Sequence, residues 1–303
     1  MNVQKILWCF VIILAFSAGI TTASPRAFAS QETAYDRVIR TKTIRCGYLP
    51  FEPYIIKDPN TKRLSGLTYD YVNEASARAG LKIDWVGEIT LDQVPTALHT
   101  KHFDAFCLPF IPDTNVSKVL DFGGYLGAIP YYVYTASNRS LTDQQMLTAT
   151  FVMVDGYALT EITRKNFPAA HTLSLSQTTS MAEMYDQLRY HKAEAIVNDP
   201  FSAALYARHN VNTIKRQSGE PVAALRMFLV VPKGDSSLQS LFNTLFDIDK
   251  QDNTALIKSL LTKYSLPSDA LLFGDKCQTA YDNENGWKLC AKSSALPSKT
   301  QIP

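Results

Sequence analysis

The chain has 303 residues, of which 46% are hydrophobic, and 30 Lys and Arg residues nearly balance 28 Asp and Glu residues, giving a formal net charge of +2. This balance excludes the basic surface that binding to nucleic acid or to an anionic membrane needs, so we expect neither partner. After the N-terminal segment, no stretch has the ~18 apolar residues that a membrane-spanning helix requires.

The N-terminus has the pattern of a secretory signal peptide. Lys5 precedes an apolar run over 6–20, and small residues follow that run. A positive charge, a short apolar segment and an Ala-x-Ala exit predict export, with cleavage after Ala29 or, as the alternative, after Ala23. Removal of 1–29 takes away two basic residues and no acid, which leaves 28 of each. We therefore expect a neutral, soluble protein in the periplasm.

Strand and helix patterns alternate in the first half of the mature chain. Apolar residues at helical spacing and a terminal glycine indicate a helix, and alternation of apolar and polar residues indicates a strand. Strands joined by single helices at short spacing predict a parallel α/β unit. The predicted strands are 43–46, 81–86 and 103–108, and the predicted helices are 69–80 and 92–101.

The second half repeats this alternation from about residue 150. A polar segment rich in Ser, Lys and Asn follows the last helix, over 267–303. The chain as a whole is therefore predicted to be an α/β protein. The predicted strands are 151–154, 172–175, 193–197 and 227–231, and the predicted helices are 158–166, 181–191, 202–208, 238–248 and 254–264.

An aromatic, proline-containing loop follows the first strand. The stretch 46–54 reads CGYLPFEPY, and its prolines fix φ and disfavour a helix. The rings of Tyr48, Phe51 and Tyr54 either fill the core under the loop or line a binding site. The second interpretation has a physical basis, because ligands of open parallel sheets bind beyond the carboxyl ends of the strands.

Four cysteines remain after the predicted cleavage, and an even number in an exported protein suggests disulfides. Cys277 and Cys290 lie close together in the polar C-terminal segment, so we expect them to pair. Cys46 and Cys107 each lie near the end of a predicted strand. They pair if those strands are neighbours, and buried free thiols are the alternative.

Five further junctions carry sequence patterns in a fixed order. They read RLSGLTYD at 63–70, LHTKHFD at 98–104, LDFGGY at 120–125, LRYHKAEAIVND at 188–199 and VPKGD at 231–235. With the loop at 46–54, this order resembles the periplasmic solute-binding proteins of the polar amino-acid type, family 3. The resemblance covers about 35–264. Arg63 stands where the family has lysine, and Lys101 where it has glycine.

The resemblance implies the fold and its division. Members of that family have a two-lobed periplasmic binding protein fold of type II, with two crossing hinge strands and the ligand held between the lobes. Lobe 1 would comprise 36–132 and 228–266, and lobe 2 would comprise 133–227. The crossings would lie near 131–135 and 224–228.

The resemblance also implies ligand contacts, at Tyr48, Phe51, Asp155 and Asp199. Phe51 falls where the family stacks an aromatic ring on its ligand, and Asp199 matches the acid that meets the ligand's ammonium group. Asp155 lies where the first loop of the second lobe approaches the ligand. Both aspartates also suit helix N-caps, which is the structural alternative for each, and core packing is the alternative for Tyr54.

One part of the family pattern is missing. Amino-acid binders of this family hold the ligand carboxylate with an arginine and a nearby hydroxyl, and a bidentate guanidinium has no apolar substitute. These two positions fall on Val116 and Ile111, with Thr114 as a substitute after a register shift and Lys118 as a more distant one. We therefore predict a small polar ligand that is cationic or neutral.

The sequence lacks the motifs of common hydrolases and phosphate-binding loops, and we expect no catalytic residue, metal or cofactor. His99 and His102 form the one candidate metal pair, with surface histidines as the alternative. The predicted function is a monomeric periplasmic binder that delivers its ligand to an inner-membrane ABC permease. The alternatives are a dehydratase-like enzyme that uses a buried acid such as Asp199 or Glu88, and a sensor or interaction protein.

Overall fold

Long neighbouring strands connect two groups of strands in one mixed sheet. The computed structural model describes residues 32–112, 115–154 and 158–272, with the backbone of two short strands beyond them. The strands are β1 (Thr43–Tyr48), β2 (Ile56–Lys57), β3 (Leu64–Ser65), β4 (Lys82–Glu88), β5 (Ala105–Phe110), β6 (Leu120–Ala136), β7 (Thr150–Val154), β8 (His171–Leu175), β9 (Ala195–Asn198), β10 (Ile214–Arg216), β11 (Ala223–Pro232), β12 (Tyr281–Asp282) and β13 (Trp287–Lys288). The helices are α1 (Ala34–Thr41), α2 (Leu67–Arg78), α3 (Val94–His99), α4 (Asp143–Met146), α5 (Ala158–Asn166), α6 (Met181–Arg189), α7 (Pro200–His209), α8 (Ser236–Phe246) and α9 (Gln251–Lys263).

The strand order confirms both predicted parallel α/β units. The main path of the sheet runs β4-β1-β5-β11-β6-β9-β7-β8. Strand β1 is parallel to β4 and β5, and β7 is parallel to β8 and β9. Helices α2 and α5 to α7 connect or follow these strands, as the alternating pattern predicted. The chain is thus an α/β protein with two lobes, one built around each parallel unit.

Strands β6 and β11 are the two crossing strands. They run antiparallel side by side, with Leu120 opposite Pro232 at one end and Tyr131 opposite Ala223 at the other. At the next residue, Tyr132, β6 pairs with Asn198 of β9 instead. The exchange of partners therefore occurs between Tyr131 and Tyr132, at the passage from one lobe to the other.

The first part of β6 was not predicted as a strand, because three glycines between 123 and 127 interrupt its apolar pattern. The backbone explains one of them. Gly124 has φ +69°, and a Cβ there would lie 2.8 Å from the Cβ of Phe246 in α8. Glycine thus lets α8 pack closely on the sheet at a bend of the strand.

Two helical segments differ from the sequence predictions. Helix α1 was not predicted, and its start is fixed by a capping box between Thr33 and Asp36. The predicted helix 92–101 is shorter, with a 3₁₀ turn at Leu91–Gln93 followed by Val94–His99. Lys101, with φ 58°, leaves the helical conformation. Capping and local φ values decide where a helix begins and ends, and the spacing of apolar residues predicts these ends poorly.

A disulfide joins Cys46 and Cys107, which decides between the two alternatives for these residues. Their Cα atoms lie 5.5 Å apart, and both residues are fully buried. The bond forms because β1 and β5 are neighbouring parallel strands, with Cys46 opposite Ala105. The predicted pairing of Cys277 with Cys290 lies outside the described residues, as does the predicted signal peptide.

Two acids of the junction patterns, Asp104 and Asp121, form hydrogen bonds that fix strands and turns of the sheet. Asp104 is buried and accepts hydrogen bonds from the Arg45 backbone N–H at 2.7 Å and from Arg37 Nε at 2.8 Å. Asp121 accepts hydrogen bonds from Lys233 Nζ at 2.7 Å and from the Gly234 N–H at 2.8 Å. These two junction acids therefore fix strands and turns of the sheet.

Candidate functional site

The loop after β1 is a tight turn that separates its three aromatic rings. The Phe51 N–H donates to Ile55 O at 2.8 Å, and the Tyr54 N–H donates to Phe51 O at 2.9 Å. Tyr48 and Tyr54 are buried at 8% and 7% exposure, whereas Phe51 is 57% exposed. Of the three, Phe51 therefore offers its ring to solvent.

The glycine of the 63–70 junction holds this turn in place. The Leu67 N–H donates to Pro53 O at 2.9 Å, and the Thr68 N–H donates to Tyr54 O at 3.0 Å. Gly66 has φ +122°, and a Cβ there would lie 2.5 Å from Tyr54 O, so no side chain fits. Helix α2 thus begins directly against the aromatic turn.

The two aromatic residues predicted to contact ligand lie in different surroundings. Tyr48 packs edge-on against Trp85, with ring centroids 6.0 Å apart. Phe51 stacks on Tyr54 at 6.2 Å with an interplanar angle of 9°. The core interpretation fits Tyr48 better, and an open binding surface fits Phe51 better. Contact of either ring with a ligand stays a prediction.

Asp199 caps helix α7, as its structural alternative predicted. It follows the last residue of β9, and its carboxylate accepts hydrogen bonds from the Ser202 N–H at 2.9 Å and Ser202 Oγ at 2.7 Å. Burial raises the pKa of this carboxyl, and the bonds from Ser202 oppose the rise without cancelling it. A cap does not exclude a ligand, since a carboxylate can accept about four hydrogen bonds. Asp155, the other predicted acid, lies outside the described residues.

An aromatic contact joins the two lobes beside Asp199. The ring of Tyr54, from the loop after β1, lies 5.4 Å from that of Phe201 in α7, at 69°. Burial raises the pKa of Tyr54 well above its usual value, and the charges of Asp199 and Tyr131 add to the rise. The structure therefore brings together residues from both lobes and from the crossing strand β6.

Tyr131 and Phe201 were not predicted from the sequence as site residues. Tyr131 follows Pro130 in the segment that was read as a crossing, and Phe201 follows the Asp-Pro pair at 199–200. Both therefore lie within two or three residues of positions already singled out. Which way their rings point depends on the sheet and the lobe contact, and local sequence patterns do not report that.

The two positions where the family pattern predicts a carboxylate clamp carry apolar side chains that pack against the core. Ile111 and Val116 are partly buried and pack against the hydrophobic core. Lys118 is exposed, and its Nζ donates to Asn115 Oδ1 at 3.2 Å. Thr114, the other candidate substitute, lies outside the described residues. The described part of this loop thus presents no cationic group held ready for a carboxylate.

Lobe 2 also contacts the end of α9 and the segment that follows it. Arg208 of α7 donates to Tyr264 O at 2.7 Å, and Arg216 of β10 forms an ion pair with Asp269. The Arg216 guanidinium also lies 4.3 Å from the ring centroid of Tyr132. The segment after α9 therefore holds residues of lobe 2.

The other chemistry considered from the sequence has little support in the described residues. Glu88 is exposed and paired with Lys57 at 2.7 Å, so its proposed role as a buried acid is wrong. Among the residues described, no group of three or more His, Cys, Asp or Glu side chains could hold a metal ion. In the same part of the chain, no helix combines the length and apolar character needed to span a bilayer.

Solved structures with a similar fold include several binding proteins. The L-cystine solute receptor of Neisseria gonorrhoeae, in its unliganded open conformation, matches with a TM-score of 0.65 at 15% identity, over 78% of this chain and 99% of that one. An ancestral cationic amino-acid solute-binding protein matches with a TM-score of 0.58 at 20% identity, over 77% and 99%. A second structure of the same ancestral protein, described there as a precursor of cyclohexadienyl dehydratase, matches with a TM-score of 0.54 at 18% identity, over 77% and 99%. At these identities the matches establish the fold alone.

A family model provides the assignment that structural similarity cannot. No curated protein sequence matches the chain significantly. The model of the bacterial extracellular solute-binding proteins, family 3, matches residues 44–265, from the start of β1 to just past α9. This range contains both parallel units, both crossing strands and the contact of Tyr54 with Phe201. The chain belongs to the bacterial extracellular solute-binding proteins, family 3.

Proposed function

We propose that the protein is exported to the periplasm, captures a small polar ligand between its lobes and delivers it to an inner-membrane ABC permease. The observation that carries this proposal is the meeting of Tyr54, Phe201 and Asp199 where the lobes touch. A ring from lobe 1 and an acid from lobe 2 can grip a ligand only when the lobes are close. Ligand binding would then favour the closed arrangement.

We place the lobe boundaries at the exchange of strand partners on β6. Lobe 1 then comprises 36–132 and 228–266, and lobe 2 comprises 133–227. The change of partner on β6, from Ala223 at Tyr131 to Asn198 at Tyr132, lies one residue before the first boundary and supports its position. Rotation of the lobes requires changes in φ and ψ at these two crossings only.

The ligand is cationic or neutral and carries no carboxylate that must be clamped. This part of the proposal rests on the apolar packing of Ile111 and Val116 and on the desolvated carboxylate of Asp199. We include Phe51, Tyr48 and Asp155 among its contacts. Phe51 is exposed and has the best support, Tyr48 is buried, and Asp155 lies outside the described residues. One ancestral protein of the same fold is described as a cationic amino-acid solute-binding protein. This description supports a cationic ligand, but it does not support a ligand without a carboxylate.

A thermal-shift screen with matched ligand pairs tests the proposal. Agmatine and 1,5-diaminopentane are arginine and lysine without their carboxylates, so each pair isolates the contribution of that group. Sugars, quaternary amines and aromatic acids complete the panel. A ligand at about 100 times its dissociation constant stabilises the folded state by about 2.7 kcal/mol.

We expect the amines to stabilise the refolded, ligand-stripped mature protein more than the matched amino acids do. Stronger stabilisation by arginine or lysine would contradict the ligand class and keep the binding function. The absence of stabilisation across the panel would count against the binding function itself.

An enzyme on the same fold is the second candidate. Burial raises the pKa of Asp199, and a carboxyl that holds its proton at higher pH can act as a general acid. One structural relative is described as a precursor of a dehydratase, which keeps this candidate open. Conversion of a panel compound into product by the purified protein would support the enzyme, and unchanged, reversible binding would support the receptor.

A further inference from the structure

The segment that follows α9, residues 264–272, is attached to both crossing strands, and we call it the strap. Ala128 of β6 and Leu272 exchange two backbone hydrogen bonds, of 3.1 and 2.8 Å. The side chain of Leu272 packs against the pair formed by Ala128 and Ala224, one residue from each crossing strand. Gly127 has φ +93°, and a Cβ there would lie 3.2 Å from Leu272 O, so glycine lets the strap approach β6 closely.

The start of the strap is bound to both lobes through one residue, Tyr264. In lobe 1, the Gly66 N–H donates to Tyr264 Oη at 2.7 Å, and Tyr264 Oη donates to Asp70 Oδ2 at 2.7 Å. In lobe 2, the Arg208 side chain donates to Tyr264 O at 2.7 Å. The phenol of Tyr264 therefore holds the start of α2, while its carbonyl group holds the last turn of α7.

A second residue of the strap binds lobe 2 beside the point where β6 changes partner. Asp269 forms an ion pair with Arg216 of β10, and the two side chains are 44% and 40% exposed. The Arg216 guanidinium also lies 4.3 Å from the ring centroid of Tyr132. A planar guanidinium can stack on a ring while it binds a carboxylate. Rotation of lobe 2 about the crossings would move Arg208 and Arg216 relative to the strap and so break both contacts.

We infer that the strap is a conformational device that holds the two lobes in the arrangement of this structure before any ligand binds. Its bonds to β6 and to the start of α2 move with lobe 1, whereas its bonds to the two arginines require lobe 2 to be in this position. A contact that forms in one of two conformations shifts their populations by its own free energy. The inference concerns the ligand-free protein, so it goes beyond the proposed function and does not depend on it.

Distance measurements between two spin labels on refolded, ligand-stripped mature protein test the inference. Labels at Asp84 of β4 and Ser174 of β8 report the separation of the lobes, because both residues are exposed and lie on the outermost strands of the main path of the sheet. Attachment through ketone side chains leaves the cysteines unmodified. In the double variant Arg208→Gln, Arg216→Gln, the population at the main distance of the parent, relative to all other distances, should fall about tenfold. This is the size expected for loss of one exposed ion pair and one hydrogen bond from a charged group.

The double variant Arg139→Gln, Arg189→Gln is the matched control. Arg139 pairs with Glu194 at a similar exposure, 42% and 30%, and Arg189 donates to Asn210 Oδ1 at 3.2 Å. All four residues belong to lobe 2, so the control also loses one ion pair and one hydrogen bond of an arginine. Its distance distribution should equal that of the parent.

Either of two results would overturn the inference: a distance distribution in Arg208→Gln, Arg216→Gln equal to that of the parent, or an equal change in the control. If the double variant does not fold, Asp269→Asn makes the same test from the strap, with an expected change of about two- to fivefold. Unchanged distances would leave the proposed function in place. A ligand screen without any stabilising compound would count against the proposed function and leave this inference in place.

Discussion

The ring of Tyr54 meets that of Phe201 at a centroid distance of 5.4 Å and an angle of 69°, although the two residues belong to different lobes. Such edge-to-face contacts are favourable in protein interiors. Both rings are buried, whereas Phe51, next to Tyr54, is 57% exposed. The contact between the lobes and the exposed aromatic surface are therefore formed by different residues.

Replacement of these rings should separate stability from binding. Phe201→Ala should lower the free energy of unfolding by about 3–5 kcal/mol, because it leaves a cavity in the core. Phe51→Ala should change it by less than about 0.5 kcal/mol, as for other exposed positions. It should nevertheless weaken ligand binding about two- to tenfold through loss of a ring contact.

Urea unfolding and titration with the ligand found in the screen measure the two effects. A large loss of stability in Phe51→Ala would show that the ring serves the core. Unchanged affinity in that variant would remove Phe51 from the binding site.

The pH dependence of stability should report the desolvated carboxyl of Asp199. Its pKa is raised in the folded state, so the folded protein binds this proton more tightly than the unfolded chain does. The free energy of unfolding therefore rises as the pH falls through the raised pKa of Asp199. The increase is complete below the ordinary pKa of about 3.9. Asp199→Asn keeps the helix cap without the charge.

We therefore expect the Asp199→Asn variant to have a higher free energy of unfolding than the parent at neutral pH. This difference should disappear in acid. Asp121→Asn is the control of opposite sign. Burial alone would raise the pKa of Asp121, but Lys233 and the Gly234 N–H hold it below its usual value, so its stabilising contribution is lost as the pH falls. Chemical unfolding from pH 7 to pH 3 gives both curves, and parallel curves for the two variants would contradict the assignment.

Removal of the disulfide should destabilise the protein strongly. Cys46 and Cys107 are separated by 61 residues. Closing a loop of this length in the unfolded chain corresponds to about 4 kcal/mol in the chain-entropy model. The double variant Cys46→Ala, Cys107→Ala should show this loss in urea unfolding. Reductant should destabilise the parent more than the variant, which keeps only the predicted Cys277–Cys290 pair. Equal stability of the two proteins would indicate that the thiols are not bonded in solution.

The buried acid of the 98–104 junction should contribute more to stability than the partly buried acid of the 120–125 junction. Asp104 is 1% exposed and paired with Arg37 and Arg45, so Asp104→Asn leaves two cations without their partner. We expect a loss of about 3–5 kcal/mol, which is usual for breaking a buried pair. Asp121→Asn breaks a largely exposed pair and should cost at most about 1 kcal/mol at neutral pH. Unfolding midpoints of the two variants would decide, and a smaller effect at Asp104 would contradict this account.

Local periodicity made much of the fold predictable. The spacing of apolar residues in 69–80 and 181–191 and the short apolar runs before residues 109 and 198 depend only on neighbours in the chain, and they indicated both parallel units. The cap at Asp199 was predictable for the same reason, since an Asp-Pro pair starts a helix through its own backbone. The glycines of β6 hid a strand because its bend is set by α8, which lies more than a hundred residues later.

The amino-acid sequence by itself determined the order of elements, the loop with three aromatic rings and the presence of valine at 116, where the resemblance to the family predicts an arginine. Only the tertiary structure decided that Phe51 is exposed while Tyr48 is buried, that Cys46 bonds Cys107, and that Tyr54 of one lobe packs against Phe201 of the other. The physical reason is the range of the interactions. Helix and strand patterns arise between residues a few positions apart, whereas these contacts depend on which strands become neighbours and on where the two lobes touch.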